Sequence, residues 1–171
     1  MMETPYFKVK RLSPEAVLPS KREEDAGYDI YACPEEDFIL LRQGELFLMP
    51  TKLSVQIPKN WVLYVAERGS TGSKGIAKRS GIIDSGYRGE VFVVLNNTST
   101  KPIVFAKKEG ESLAIFLEEE GLGKEDITIY PLTKAIAQCL LLYTPHAKVE
   151  EVSSLEEDSE RGAGVLGSSK K

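Results

Sequence analysis

Apolar and polar residues alternate along much of the chain, a pattern typical of extended strands. The alternation is regular at residues 7–10 and 53–57, as expected for strands that bury one face. Further strand patterns are separated by Gly44, Pro50 and residues 58–60, and they cover residues 28–32, 38–41, 46–49 and 61–66. Many short strands at this spacing predict an all-β fold, an antiparallel β-sandwich or barrel of the jelly-roll kind.

The second half of the chain adds further strands and one helical segment. Strand patterns recur at residues 91–95, 127–130 and 135–143. Residues 111–121 predict a short helix that stops at Gly121, although their apolar residues also suit a strand. We interpret residues 107–126 as an insertion, so that the fold needs at most one or two short helices.

The composition changes abruptly after Val152, where serine, acidic residues and then glycine replace apolar residues. Such a segment buries too little apolar surface to fold alone. We therefore predict one β domain over residues 1–152 and a flexible C-terminal tail over residues 153–171. From Val152 to Leu166 a random coil spans roughly 20 Å, far enough to reach a neighbouring subunit.

The stretch GIIDSGYRGEV at residues 81–91 combines β-branched residues, a carboxylate and a turn. Ser85-Gly86 is a tight-turn pattern, and we interpret the stretch as a β-hairpin with Asp84 at its tip. Asp84 is thus a candidate catalytic carboxylate. The alternative is that Asp84 only hydrogen-bonds its own turn, as aspartates before Ser-Gly commonly do.

A second candidate segment is RGSTGSKG at residues 68–75. Its small residues leave backbone N–H groups open to an anion, so the loop could form a nest for phosphate oxygens. The alternative is a flexible surface loop. Ile76-Ala77 then suggests the start of a short helical turn.

The composition and charge restrict the partners. A net charge of −4 and a pI near 5.2 argue against nucleic-acid binding, because no basic face would neutralise a phosphate backbone. A nucleoside triphosphate needs only a few local cations. Residues 1–10 lack the apolar core of a signal peptide, and no apolar run reaches the ~20 residues of a membrane span. We expect no membrane partner and an intracellular, soluble protein of the cytoplasm or nucleus.

The cysteine and histidine residues restrict the metal chemistry. Cys33 and Cys139 could form one disulfide, but a lone pair without a secretion signal favours two reduced core thiols. The single histidine, His146, and the absence of CxxC or CxxH spacing argue against zinc. A metal would have oxygen ligands, which favours Mg²⁺.

Five short motifs in one order resemble those of the trimeric dUTPase family. They are AGYDI at 26–30, ERGSTG at 67–72, GIIDSGYRGEV at 81–91, AIAQ at 135–138 and RGAGVLGSS at 161–169. The segment GESLA at 110–114 is a looser match to the fourth motif, but it lacks the glutamine, so we prefer Gln138. Together the five cover nearly the whole chain.

The resemblance implies a jelly-roll homotrimer whose active sites are shared between subunits and cleave dUTP to dUMP and pyrophosphate with Mg²⁺. This reaction keeps uracil out of DNA and supplies dUMP for dTMP synthesis. Asp84 would be the general base, Asp29 would hold Mg²⁺ through water, and Arg161 would close over the terminal phosphate. Substrate contacts would come from Arg68, Gly69, Ser70, Thr71, Gly81, Ile83, Tyr87, Gln138, Leu166, Gly167 and Ser168.

Within this family, Tyr87 would lie beneath the deoxyribose and exclude a 2′-hydroxyl, and the backbone near residues 81–83 would read uracil. Two positions depart from the family pattern. Gly69 follows Arg68 where a serine is usual, so Ser70 or Thr71 would supply the hydroxyl. Leu166 replaces the phenylalanine that stacks on uracil, and we hypothesise that Phe105 or Phe116 supplies an aromatic cover.

Two other functions remain as alternatives. The related dCTP deaminases carry a catalytic glutamate in the strand after the third motif, where this chain has Val94, and valine transfers no proton. A catalytically silent dUTP-binding sensor is the other alternative, because fold does not imply function.

Overall fold

A computed structural model describes residues 5–155 of the chain, which form three β-sheets and two helices. The first sheet is antiparallel and has the strand order β1-β4-β8-β6. Its strands are β1 (Lys8–Arg11), β4 (Leu46–Gln56), β8 (Glu90–Asn97) and β6 (Ile76–Arg79). Buried residues alternate along β4 and β8, so this sheet turns one face to the core.

The second sheet is also antiparallel and has the order β2-β11-β5-β7. Its strands are β2 (Tyr28–Ile30), β11 (Ala137–Tyr143), β5 (Trp61–Ala66) and β7 (Ile82–Asp84). Because β11 pairs with both β2 and β5, the last described strand lies between two strands from the first half of the chain.

The third sheet contains β10 (Thr128–Pro131), β9 (Ile103–Ala106) and β3 (Phe38–Leu41). β9 is antiparallel to β3 but parallel to β10. Parallel neighbours require a crossover connection, and the chain between β9 and β10 supplies one through helix α2 (Glu111–Glu119) and a 3₁₀ turn at Lys124–Asp126.

The short helix predicted at residues 111–121 is confirmed by α2. Gly121 has a φ of +67° just beyond its end, a conformation that glycine adopts without strain. The other helix, α1 (Gly69–Gly72), is a single turn where the sequence predicted a loop. No helix within residues 5–155 has the length and apolar character to cross a membrane.

The all-β prediction is confirmed, with sandwich-like packing and no closed barrel within the described residues. The main core lies between the sheets and includes Met49, Val65, Leu95 and Phe105, all nearly inaccessible to solvent. A smaller cluster under α2 includes Val104, Leu113 and Leu117. Whether residues 107–126 are an insertion stays a prediction.

Three details of the predicted strands are wrong. Residues 46–49 and 53–57 form the single strand β4, because a β-bulge between Pro50 and Ser54 accommodates a proline that cannot donate to the ladder. Ile76-Ala77 begins β6, not a helical turn. The predicted hairpin is absent, because β7 pairs with β5 whereas β8 pairs with β4 and β6.

Both cysteines are free and buried, as predicted. Burial raises the pKa of the Cys139 thiol to about 12. The thiolate is the reactive form of cysteine, so Cys139 is chemically inert in the folded protein near neutral pH.

We expect Leu117→Ala to lower the free energy of unfolding by about 2–5 kcal/mol, because it leaves a cavity beneath α2. Ile115→Ala is the matched control on the same helix, since Ile115 is 50% exposed, and it should change stability by less than about 1 kcal/mol. Urea denaturation at one fixed protein concentration measures both. Equal losses would contradict the packing of α2 described above.

Candidate active site

Helix α1 presents Arg68 at the end of β5. The Thr71 hydroxyl accepts the Arg68 N–H at 3.2 Å and donates to the Arg68 carbonyl at 2.9 Å. Thr71 is 1% exposed, so its hydroxyl stabilises the turn from inside. The sequence analysis suggested Thr71 as a phosphate contact, but its hydroxyl is buried and bonds to the backbone of Arg68.

The Arg68 guanidinium joins three segments that are distant in sequence. Its Nε lies 2.9 Å from Asp29 Oδ1, and its Nη2 donates to Asp29 Oδ2 at 3.3 Å. Its Nη1 donates to the Ala135 carbonyl at 3.0 Å and to Ser70 Oγ at 3.1 Å. Two N–H groups directed at one carboxylate fix the plane of a guanidinium as well as its position.

Gln138 lies beside this pair. It is opposite Asp29 in the β2–β11 ladder and opposite Ala66 in the β5–β11 ladder. Its Nε2 donates to the Glu67 carbonyl at 2.7 Å. A Cβ at Gly27 would lie 2.6 Å from Gln138 Oε1, so the glycine leaves the space that this side chain occupies.

These residues line an open cleft of about 750 Å³. Asp29, Arg68, Gly69, Ser70 and Gln138 all contribute to its wall, and their roles in Mg²⁺ and phosphate binding stay a prediction. Asp29 is one of two carboxylates that line the cleft, the other being Asp25, and within residues 5–155 no cluster of three or more metal-binding side chains occurs. That arrangement fits Mg²⁺ shared with a phosphate ligand and not an all-protein metal cage.

The sequence analysis missed the other wall of the cleft, which includes Ser20, Lys21, Arg22 and Asp25. Arg22 donates to both carboxylate oxygens of Asp25 at 2.9 Å, and these hydrogen bonds hold the pKa of Asp25 below its usual range. The only sequence feature that could have indicated this wall is the charge cluster at residues 21–25, directly before Asp29.

Asp84 belongs to a different pocket, of about 240 Å³, which also contains Ile83, Tyr87, Phe92 and Val94. The adjoining turn is held by its backbone, because the Tyr87 N–H donates to the Asp84 carbonyl at 3.0 Å. The Tyr87 hydroxyl donates to the Glu90 carbonyl at 2.8 Å. The Asp84 side chain is exposed and is therefore available to a ligand.

The two groups of predicted residues lie at opposite ends of β5. Asp84 is opposite Val62, whereas Gln138 is opposite Ala66. Standard strand rise and spacing separate the Cα atoms of Asp84 and Gln138 by roughly 16 Å. Within the described residues of one chain, Asp84 and Gln138 therefore do not contact each other.

Comparison with known proteins identifies the family. A family-level profile with the description dUTPase matches residues 14–115. The deoxyuridine 5′-triphosphate nucleotidohydrolase of Leptospira interrogans is 34% identical over 164 residues, which are 94% of this chain and 95% of that protein. The chain belongs to the dUTPase family.

Two further similar proteins are a viral polyprotein and a phage enzyme of known structure. The Pol polyprotein of caprine arthritis encephalitis virus is 31% identical over 155 residues, which are 90% of this chain but only 11% of the polyprotein. The dUTPase of Staphylococcus bacteriophage 80alpha, solved with dUPNHPP, has a TM-score of 0.71 and 25% identity. That alignment covers 97% of this chain and 99% of the phage chain.

The segments that resemble the first, second and fourth dUTPase motifs contribute to the cleft or contact Arg68, and the segment that resembles the third lines part of the Asp84 pocket. Gly81 lies next to β5, where its carbonyl accepts the Val65 N–H at 2.8 Å and a Cβ would lie 2.5 Å from the Val65 carbonyl. The fifth-motif residues Arg161, Leu166, Gly167 and Ser168 lie outside the described residues, as do all tail residues from 156 onward.

The sequence analysis suggested Phe105 or Phe116 as an aromatic cover for the uracil, and the structure argues against Phe105. Phe105 is fully buried in the core, so it cannot cover a ligand while the sheets are intact. Phe116 stacks on Phe38 with ring centroids 5.0 Å apart. Its ring is therefore already packed within the α2 cluster.

We expect Gly27→Ala to reduce the free energy of unfolding by about 1–3 kcal/mol, because the new methyl group displaces Gln138. The loss should become smaller in a Gln138→Ala background, where the amide is gone. Urea denaturation of the two single variants and the double variant measures the coupling. Additive losses would mean that Gly27 is required for another reason.

Proposed function

We propose that this protein hydrolyses dUTP to dUMP and pyrophosphate. The observation that carries the proposal is the junction of β2, β5 and β11, where Asp29, Arg68 and Gln138 share a cleft of about 750 Å³. A carboxylate, a guanidinium and an amide are the groups that hold a hydrated cation and phosphate oxygens. Because the chain belongs to the dUTPase family, we infer that the substrate of this cleft is a deoxyuridine triphosphate.

Asp84 is the proposed general base. It takes a proton from a water whose oxygen attacks the α-phosphorus, while the bond to the bridging oxygen breaks and pyrophosphate leaves. Asp84 is exposed in a pocket that contains Ser80 and Glu90 as well as apolar residues, so its carboxylate is open to a water when substrate is bound. The pocket would hold the nucleoside, with Tyr87 against the sugar and residues 81–83 against the base.

The cleft residues hold the phosphates. Arg68 and Gln138 would donate to phosphate oxygens, with Gly69 and Ser70 alongside, and Asp29 would hold hydrated Mg²⁺. When bound, Mg²⁺ supplies neutralising charge to the phosphate oxygens. Arg161 of the fifth motif would add a further cation, and Leu166, Gly167 and Ser168 would lie near the substrate.

The separation of roughly 16 Å between Asp84 and Gln138 supports a site completed by another subunit. Exposed apolar side chains surround the Asp84 pocket, including Ile82, Tyr87 and Phe92. Leu46 and Leu48 continue this apolar surface on β4. Contiguous exposed apolar side chains mark protein–protein contacts. We propose a homotrimer in which the cleft of one subunit faces the Asp84 pocket of the next.

Deaminase chemistry finds no support in the same pocket. Val94 lies in it at the position where the deaminases carry a glutamate. The neighbouring Glu90 carboxylate is engaged, because its Oε1 accepts the Lys52 N–H at 2.9 Å. A deaminated product is nevertheless an outcome that the following experiment can detect.

The test incubates dUTP, dCTP, dTTP and UTP separately with the protein and Mg²⁺. We expect that only dUTP is cleaved and that it gives dUMP and pyrophosphate promptly. Asp84→Asn should lower kcat by about 10²–10⁴-fold while dUTP still binds. Asp37→Asn, which changes an exposed carboxylate paired with Lys108, should leave kcat unchanged. Deaminated dCTP, or dUTP binding without turnover by the unaltered protein, would contradict the proposal.

We expect two inactive variants to complement each other if sites are shared. In every mixed trimer of Asp84→Asn and Arg68→Ala subunits, one of the three sites would combine an intact Asp84 with an intact Arg68. Co-expression with two affinity tags isolates the mixed trimers for assay. Activity no higher than that of the separate variants would show that each site lies within one subunit.

A further inference from the structure

A buried tyrosine lies directly behind Arg68. Tyr130 is 1% exposed, and its hydroxyl donates to the Ala135 carbonyl at 2.6 Å. The same carbonyl accepts Arg68 Nη1 at 3.0 Å. Tyr130 and Arg68 therefore share one acceptor, and the direction of that carbonyl determines where the guanidinium can lie.

The rest of the tyrosine is in an apolar environment. Its ring packs against Phe105 with centroids 5.7 Å apart, so a phenylalanine would fill the same space. Only the hydroxyl reaches the polar cluster. Burial raises the pKa of Tyr130 above its usual value, and the phenol remains a hydrogen-bond donor at neutral and mildly alkaline pH.

Tyr130 follows shortly after the segment predicted as an insertion, residues 107–126. Tyr130 is in β10, which the α2 crossover connects to its parallel neighbour β9. Its neighbours Ile129 and Pro131 line a groove of about 680 Å³ against α2. Alternate side chains along a strand point to opposite faces, so β10 contacts the α2 segment on one face and the Arg68 cluster on the other.

We propose that Tyr130 is a positioning residue for Arg68. By holding the Ala135 carbonyl, its hydroxyl directs the guanidinium toward Asp29 and the cleft, where the phosphates bind. The proposal rests on the proposed function of the cleft. It also gives the segment between β9 and β10 a role at the phosphate site, although no residue of α2 reaches that site.

We expect Tyr130→Phe to raise the KM for dUTP about fivefold, the effect of one lost hydrogen bond, and to change kcat less than about twofold. Phe105→Leu disturbs the packing of the ring but not the hydroxyl. It should lower stability and leave KM unchanged.

Binding of inorganic tripolyphosphate with Mg²⁺, measured by calorimetry, tests the proposal independently of turnover. Tyr130→Phe should weaken this binding about fivefold in the presence of Arg68 and not in its absence. If the unaltered protein binds tripolyphosphate in this Tyr130-dependent way but does not cleave dUTP, the proposed function fails and the positioning role stands.

Three results would overturn the positioning role. The first is that Tyr130→Phe leaves both KM and tripolyphosphate binding unchanged. The second is that Tyr130→Phe weakens tripolyphosphate binding equally with and without Arg68. The third is that the unaltered protein does not bind tripolyphosphate. Thermal unfolding of each variant shows whether it is folded at the assay temperature.

Discussion

The ion pair between Arg68 and Asp29 is the interaction on which the arrangement of the cleft depends. Asp29 lies within β2 and Arg68 follows β5, and the Ala135 carbonyl adds a third segment to the same guanidinium. A partly buried guanidinium needs most of its donors satisfied, so separating these segments would leave partly buried polar groups without their partners. The backbone ladders of β11 bring the segments near one another, and the ion pair fixes their final geometry.

Local residue patterns predicted the fold class and most strands, because the side-chain period is visible in a short window. They failed where the pattern is not local. All four residues of β9 are buried, so its apolar run gives no period that separates a strand from a helix. The hairpin prediction failed because two apolar strands joined by a short turn are normally partners, whereas β7 and β8 each pair with other strands.

The candidate site was predictable to the extent that it consists of short motifs. Asp29, Arg68 and Gln138 were each identified from the resemblance, and the structure shows them adjacent. The sequence could not reveal that Thr71 points inward or that Tyr130 supports Arg68, and the charge cluster at residues 21–25 gave no position for the opposite wall, which includes Ser20, Lys21, Arg22 and Asp25. The opposite wall and the contact of Tyr130 depend on residues distant in sequence, for which a single sequence carries no pattern. Thr71 bonds to nearby Arg68, but its burial depends on the surrounding fold.

The pairing of β11 with β2 also has a consequence for biosynthesis. Asp29 emerges early from the ribosome, but its neighbour Gln138 is in the last strand of the described chain. Non-local pairings of this kind slow folding, since a long loop must close before the contact forms. During translation β2 and β5 lack their β11 partner until residues 137–143 have been synthesised. The cleft can therefore assemble only after almost the entire β domain has been made.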